Sequence, residues 1–298
     1  MVGYRRRAAA ALIAAALALT SAVAWPEEAA VWKQRAEGNR AGAELDWWST
    51  GRSSSLSWAV TAQLEVIEHL HFTLDIPFTY LDWEIDGGSG GSGGENSQFA
   101  FGNPTLGLHW AKVLDKMLGY FYGGFVSAPT QVGESPIGAD EIAFDATTHT
   151  ARRFAIQSRA FLNYNRFFSE YAFAGAHGGV ELRLGPGLYS RMDITMIIAI
   201  PLSRTAPGSG FMLQALGELE GRADFGLGAG GRFQAALYEY EPIDDDIVQT
   251  ALEPYVVYWP DRGFYARVGF LVALDNVLGP GFDKDKVRTV TTALGGSW

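Results

Sequence analysis

A chain of 298 residues without a cysteine has no disulfide framework and no thiolate chemistry, and a formal charge of −10 at pH 7 makes nucleic acid a poor partner. Hydrophobic residues make up 48% of it and aromatics 13%, beside 36 glycines, yet beyond the first 24 residues there is no run of 18 apolar residues to make a membrane-spanning helix. Strands that alternate apolar and polar residues account for this composition, because alternation hides the apolar side chains from any window average.

The chain opens with Arg5, Arg6 and Arg7, an apolar run from Ala8 to Leu19, and Ser21-Ala22-Val23-Ala24 ahead of Trp25. This predicts a secretory signal peptide over 1–24, since the apolar run is short for a spanning helix and ends at a small-x-small cleavage site. Its removal takes away three arginines and no acid, moving the formal charge from −10 to −13. Residues 25–41 read as a polar periplasmic lead-in, and 42–298 as the folded body.

From Ala43 the side chains alternate with a period of two. The first stave sets Ala43, Leu45 and Trp47 against Glu44, Asp46 and Trp48; the second sets Leu56 to Val66 against Ser57, Thr61, Gln63 and Glu65. A turn at Ile67-Glu68-His69 leads to Leu70–Tyr80, with His71, Thr73, Asp75 and Thr79 facing inward. The tract Gly87–Gly94 lacks the lysine and helix start of a phosphate cradle and reads as a flexible loop. Phe99–Ala111 follows, with Ala100, Leu106, Leu108 and Trp110 expected outward and Phe99, Phe101, Asn103, Thr105 and His109 inward. Leu118–Ala128 is the fifth stave, with aromatics on both faces.

The later staves are Tyr171–Leu184, Leu188–Leu202, the hairpin Phe211–Tyr240 turning at Gly221–Asp224, Leu252–Trp259, Phe264–Leu274 and Val287–Trp298. The hairpin arms run to about 11 to 14 residues, against ~5 to 6 in soluble sheets and ~9 to 11 for a tilted bilayer crossing. Tight turns near residues 68, 115, 186, 222 and 261, with longer connections between them, predict twelve staves and both termini on the periplasmic side. Thr148–Phe168 is ambiguous between helix and strand. Paired with Asp140–Ala146 it would make fourteen staves, the alternative count; we read it as a helix or folded loop outside the wall, between the fifth and sixth staves, either clear of the lumen or dipping into it.

The fold class is therefore all-β, a transmembrane antiparallel up-and-down barrel in the cell outer membrane, with lipid on its outer face. Expected pore-lining residues are Glu65, Asp75, Asn103, His109, His177, Glu181, Arg183, Arg191, Asp193, Glu218, Glu220, Arg232, Glu253 and Arg267, with Glu44, Asp46 and Arg222 on the same face. Charges in this arrangement brace a narrow barrel by pairing, or act as a selectivity lining. Arg152, Arg153, Arg159 and Arg166 in the ambiguous segment, facing an acidic lumen, are a candidate gate. Inward Ile197, Met212, Leu216 and Leu271 interrupt the polarity and offer footholds to an apolar solute.

Other chemistry finds little footing. His71, His109 and His177 come from staves separated in order, without zinc-triad spacing, and Asp244-Asp245-Asp246 lacks the ligand spacing of a calcium loop. The stave histidines face inward, and the outward Ser190 has no histidine beside it on either neighbouring stave, so no lipid-cleaving dyad is expected. Neither a metal nor a cofactor is expected. Trp47, Trp58, Trp83, Trp110, Trp259 and Trp298 sit near stave ends, where an interfacial girdle would hold them.

Phe101-Gly102-Asn103-Pro104-Thr105-Leu106-Gly107-Leu108, with Asp75-Ile76-Pro77-Phe78 before it and Ser127-Ala128-Pro129-Thr130 after it, resembles the family of outer-membrane proteins named for the MetA pathway of phenol degradation. Asn103 stands where that family often has aspartate, and Gln131 where glycine usually follows. The resemblance, over residues 43–298, implies a small barrel that passes hydrophobic or aromatic molecules, and it supplies no catalytic residues to carry over. The aromatic C-terminus at Trp298 resembles the signal read by the barrel-assembly machinery. An alternative is a closed structural or adhesive barrel, and less so a lipid-modifying enzyme.

Overall fold

Strands that bury one face and wet the other leave no edge exposed when each finds two neighbours. The computed structural model describes residues 38–49, 53–85, 94–115, 117–130, 151–152, 154–156, 158, 162, 164–168, 170–202, 208–240, 247–260, 263–274 and 288–298. The expected signal peptide, the tract Gly87–Gly93, Asp244–Asp246, Arg153 and Arg159 lie outside the described residues.

The strands are β1 (Arg40–Ser49), β2 (Ser53–Ile67), β3 (Leu70–Ile85), β4 (Gly94–Phe101), β5 (Thr105–Val113), β6 (Leu118–Ser127), β7 (Tyr171–Gly185), β8 (Leu188–Pro201), β9 (Gly210–Arg222), β10 (Leu227–Tyr240), β11 (Ile247–Tyr258), β12 (Gly263–Ala273) and β13 (Arg288–Ser297). Neighbours pair antiparallel, and β13 returns to β1 with Ala43 opposite Leu294, closing the barrel. The Trp298 N–H donates to the Asn39 carbonyl at 3.1 Å beside this seam. Because β4 and β5 pair with different halves of β3, they form one stave, and the barrel has twelve. One end carries both termini and the tight turns; the other carries the longer connections.

The surface is inside out. Leu108, Tyr122, Val126, Ile198, Leu219, Val256 and Phe264 are about half exposed, whereas Glu253 is 0% and Glu220 1% exposed on the inner face. A soluble monomer rarely shows apolar patches beyond a few hundred Å², and alternation has here put an apolar band around the outside. No helix among the described residues is long and apolar enough to cross a membrane, which leaves the strands untouched by that test.

Two expectations change. Phe78 faces Phe101 but Asp75 faces Thr105, so Gly102–Pro104 stand opposite only Ile76 and Pro77. One extra residue reverses the side-chain alternation: Phe99 and Phe101, expected inward, are exposed on the outer wall, and Ala100, expected outward, is buried inside. The two rings join Trp58 and Phe78 in an outer aromatic cluster, with Phe78 and Phe101 centroids 4.7 Å apart. The turn expected at Gly221–Asp224 lies at Ala223–Gly226 instead, closed by the Ala223 N–H on the Leu227 carbonyl at 2.8 Å. Gly226, at φ 94°, takes the left-handed position there, and Phe225 hangs exposed in the turn.

Between β6 and β7 the chain enters the barrel. Ala151, Arg152, Phe154–Ile156 and Ser158 are helical, as is the turn Tyr164–Phe167, so this stretch adds no stave. Glu170, at φ 69°, redirects it into β7, and its carbonyl accepts the Leu202 N–H at 2.9 Å.

Candidate functional site

The lumen divides by height. Toward the loop end, where the inward positions of β7–β12 are apolar, Tyr171, Phe173, Ile197, Ala199, Met212, Ala236, Tyr238, Ala251, Leu271 and Ala273 form one buried cluster with Trp48 of β1. Leu162 of the inserted segment is buried in that cluster, with Phe154 and Phe168 packed against it. The Phe154 ring lies 5.5 Å from Trp48, and Phe168 lies 5.1 Å from Tyr171. Gln214 holds the Leu162 carbonyl and Thr289 the Ser158 carbonyl, so β9 and β13 grip the segment by its backbone.

A polar latch holds the other side. Arg166 Nε donates to Asp75 Oδ2 at 2.9 Å and Nη2 to Glu44 Oε2 at 2.9 Å, with a further contact from Nη2 to Asp75. Burial disfavours the guanidinium's charge, but Asp75 and Glu44 more than reverse this, and its pKa stands above the ordinary value. The backbone N–H of Asn103 donates to the Arg166 carbonyl at 2.5 Å; Asn103 Nδ2 donates to the Asn165 and Phe168 carbonyls at 2.9 and 2.7 Å. Gly102 lies so close beneath that a Cβ there would meet the Arg166 carbonyl and come within 2.7 Å of Pro77 Cγ. Arg152 Nη2 donates to Thr130 Oγ1 at 2.5 Å, and Thr130 in turn donates to the Phe101 carbonyl at 3.3 Å. The three proline-bearing motifs are thus the dock on which the segment rests.

Toward the turn end the wall is charged and paired. Arg191 reaches Glu181 at 3.4 Å and Asp193 at 3.0 Å; Arg222 Nε reaches Glu220 at 2.8 Å, and the Tyr255 hydroxyl donates to Glu220 at 2.9 Å. Arg232 pairs with Glu218 and lies 3.9 Å from Glu253, which Arg267 approaches to 3.8 Å. Thr291 and Gln234 also donate to Glu253, at 2.5 and 3.2 Å. Every oxygen of a carboxylate at 0% exposure thereby has a donor, the condition under which a buried ion is tolerated.

The histidines converge, contrary to the separation expected of them. His71 and His109 are direct cross-strand partners with rings stacked at 5.0 Å, and His177 meets His109 at 5.9 Å. They meet because Gly123 intervenes on β6 without a side chain. The first pair is stacked at 24° and the second edge-on at 70°, and among the described residues no group of three His, Cys, Asp or Glu has the geometry to hold a metal ion.

The fourteen expected lumen residues fall into these groups. Asp75 and Asn103 belong to the latch, and His109 and His177 to the stack. Glu181, Arg191, Asp193, Glu218, Glu220, Arg232, Glu253 and Arg267 form the paired wall. Glu65 and Arg183 sit at the turn-end rim, where Glu65 Oε1 accepts the His69 N–H at 3.0 Å and the Arg183 N–H bonds the Met117 carbonyl at 2.7 Å. Arg152 is buried and Arg166 part-buried, both in contact with the wall. Sequence reasoning missed Gly102, Thr130, Gln214 and Thr289, whose roles depend on which stave the segment touches.

No protein-family model matches the chain, and no curated protein matches it in sequence. In structure it is similar to an outer membrane channel from Pseudomonas putida F1, with a TM-score of 0.54 at 10% identity over 88% of this chain and 96% of that one. The NanC porin gives 0.49 at 7% identity over 87% and 98%, and LpxR from Salmonella typhimurium 0.44 at 9% over 87% and 100%. The first of these likenesses is one of fold: a barrel of the outer-membrane kind.

Proposed function

We propose that the protein is an outer-membrane channel of the kind named for the MetA pathway, through which small apolar or aromatic molecules diffuse down their gradient. The observation that carries this reading is the apolar, aromatic-lined loop-end half of the lumen, an arrangement with no value to a sugar or an ion. The fold shared with the Pseudomonas channel supports it, as do the outer apolar band and the exposed Trp47 and Trp298 near opposite stave ends. On this reading the turn end faces the periplasm, lipid covers the band, and the strand ending at Trp298 engages the assembly machinery. Segment 151–168 is the resting closure, with Arg166 and Arg152 as its fastenings.

Catalysis is not part of the proposal. Ser190 lies opposite Leu182 and Leu219 on its two neighbours, without a base beside it. Proteoliposomes should take up toluene faster than protein-free vesicles, with glucose uptake unchanged by the protein; equal acceleration of both, or of neither, would refute the substrate class. The occupied lumen favours a second reading, a permanently closed structural or adhesive barrel. Under it, removing the segment would leave the wall as impermeable as before.

A further inference from the structure

The apolar half of the lumen has an occupant, and that occupant belongs to the chain itself. Phe173, Ile197, Met212 and Tyr238 present broad apolar surfaces on consecutive staves, while Ala199, Ala236, Ala251 and Ala273 are too short to meet across the middle. Leu162 is buried in the same cluster as these alanines and aromatics, with Phe154 and Phe168 packed against that cluster. A cavity of about 30 Å³ remains at the same wall, lined by Phe173, Ile197, Ala199, Met212 and Tyr238 and, at the strand ends, Gly210, Phe211 and Glu239. That is room for one or two waters, and far too little for a benzene ring.

The fastenings are arranged so that Leu162 can leave without the segment detaching. The latch lies C-terminal to it, where Asn103 holds the carbonyls of Asn165, Arg166 and Phe168 and where Arg166 meets Asp75 and Glu44. Near Leu162, among the described residues, side-chain bonds from Gln214 and Thr289 hold the segment to the wall. Resting on the channel reading above, we propose that the pocket formed by Phe173, Ile197, Ala199, Met212, Ala236 and Tyr238 binds single-ring aromatic hydrocarbons, with Leu162 as its resident competitor. Binding and withdrawal of the segment are then one event: a solute that takes the pocket expels Leu162, and the segment swings on its Arg166–Asn103 anchor. The apparent affinity for solute is lowered by the fraction of molecules whose pocket Leu162 fills.

Methionine methyl groups test this directly. Met212 lines the pocket, and the neighbouring strand carries Met192 and Met196 on the lipid-facing side, where they report partitioning alone. In folded full-length protein labelled with ¹³C-methyl methionine and titrated with toluene, the Met212 resonance should shift saturably while Met192 and Met196 drift linearly. Leu162→Ala should move the midpoint to roughly tenfold lower toluene, and Ala236→Phe, which fills the pocket from the wall, should abolish the saturable shift. Retained gel mobility of the unheated barrel verifies folding of both variants. A Met212 response no different from Met196 overturns the site; a saturable response unaffected by Leu162→Ala overturns the competition. Toluene uptake with a silent Met212 would sink this proposal and spare the channel, whereas a saturable Met212 without uptake would do the reverse.

Discussion

Arg166 carries a charge into a site that is otherwise hostile to one, and the two carboxylates at 2.9 Å are what hold it there. Replacing it by Met leaves Asp75 and Glu44 facing the lumen without their cation. Removal of one member of a fully buried pair costs about 3–5 kcal/mol; with side chains 14%, 21% and 31% exposed this one costs less, and the loss falls on docking of the segment rather than on the barrel. Arg166→Met should therefore expose residues 151–168 to protease while the barrel's heat-modified gel mobility stays the same. Adding Asp75→Asn should cost less than the sum of the separate effects, by about 1–3 kcal/mol. The pH dependence has a definite sign. Asp75 and Glu44 hold the arginine's pKa above its ordinary value, so its contribution is intact at every pH below that value and alkali to pH 10 leaves the latch closed. Gly102→Ala reaches the same outcome sterically, since its methyl would occupy the space of the Arg166 carbonyl.

At the scale of the strand, the stave β4–β5 contains both the strongest motif and the poorest sequence reading. Alternation placed the residues after the break correctly but carried the same parity back through Gly102-Asn103-Pro104, which reversed Phe99, Ala100 and Phe101. A period of two contains no information about an inserted residue. The bulge is imposed by the segment that docks on it, a partner more than 50 positions away in sequence. The histidine stack was illegible for a similar reason, because it depends on the register of β3 with β5 and on a glycine in β6. By contrast, Glu253 and its partners Arg232 on β10 and Arg267 on β12 were legible as inward charges, and the structure adds which ones meet. Glu253→Ala should lower unfolding free energy by about 3–5 kcal/mol, because Arg267 and Arg232 lose a shared counter-ion. Glu65→Ala at the open rim should change it by no more than about 0.5 kcal/mol. Denaturant titration followed by tryptophan fluorescence measures both.

For the whole molecule, strand number and direction were readable from five tight turns and from staves long enough for a bilayer, since closure in a membrane leaves no other arrangement of such a chain. The contents of the lumen were only partly readable. The arginines at 152 and 166 and the inward Ile197, Met212 and Leu271 were visible in the sequence, but not that the segment's Leu162 and the wall's apolar residues meet in one cluster. On the proposed reading the wall excludes water from its loop-end half, pairs the charges of its turn-end half, and is closed by a removable piece of its own chain.

Single-channel recording in planar bilayers tests that account most directly, comparing the intact protein with a variant in which residues 151–168 are replaced by a glycine-serine linker. The account predicts rare, brief openings for the intact chain and long-lived unitary steps of several-fold larger conductance for the variant. Two indistinguishable traces, whether both silent or both open, would contradict it.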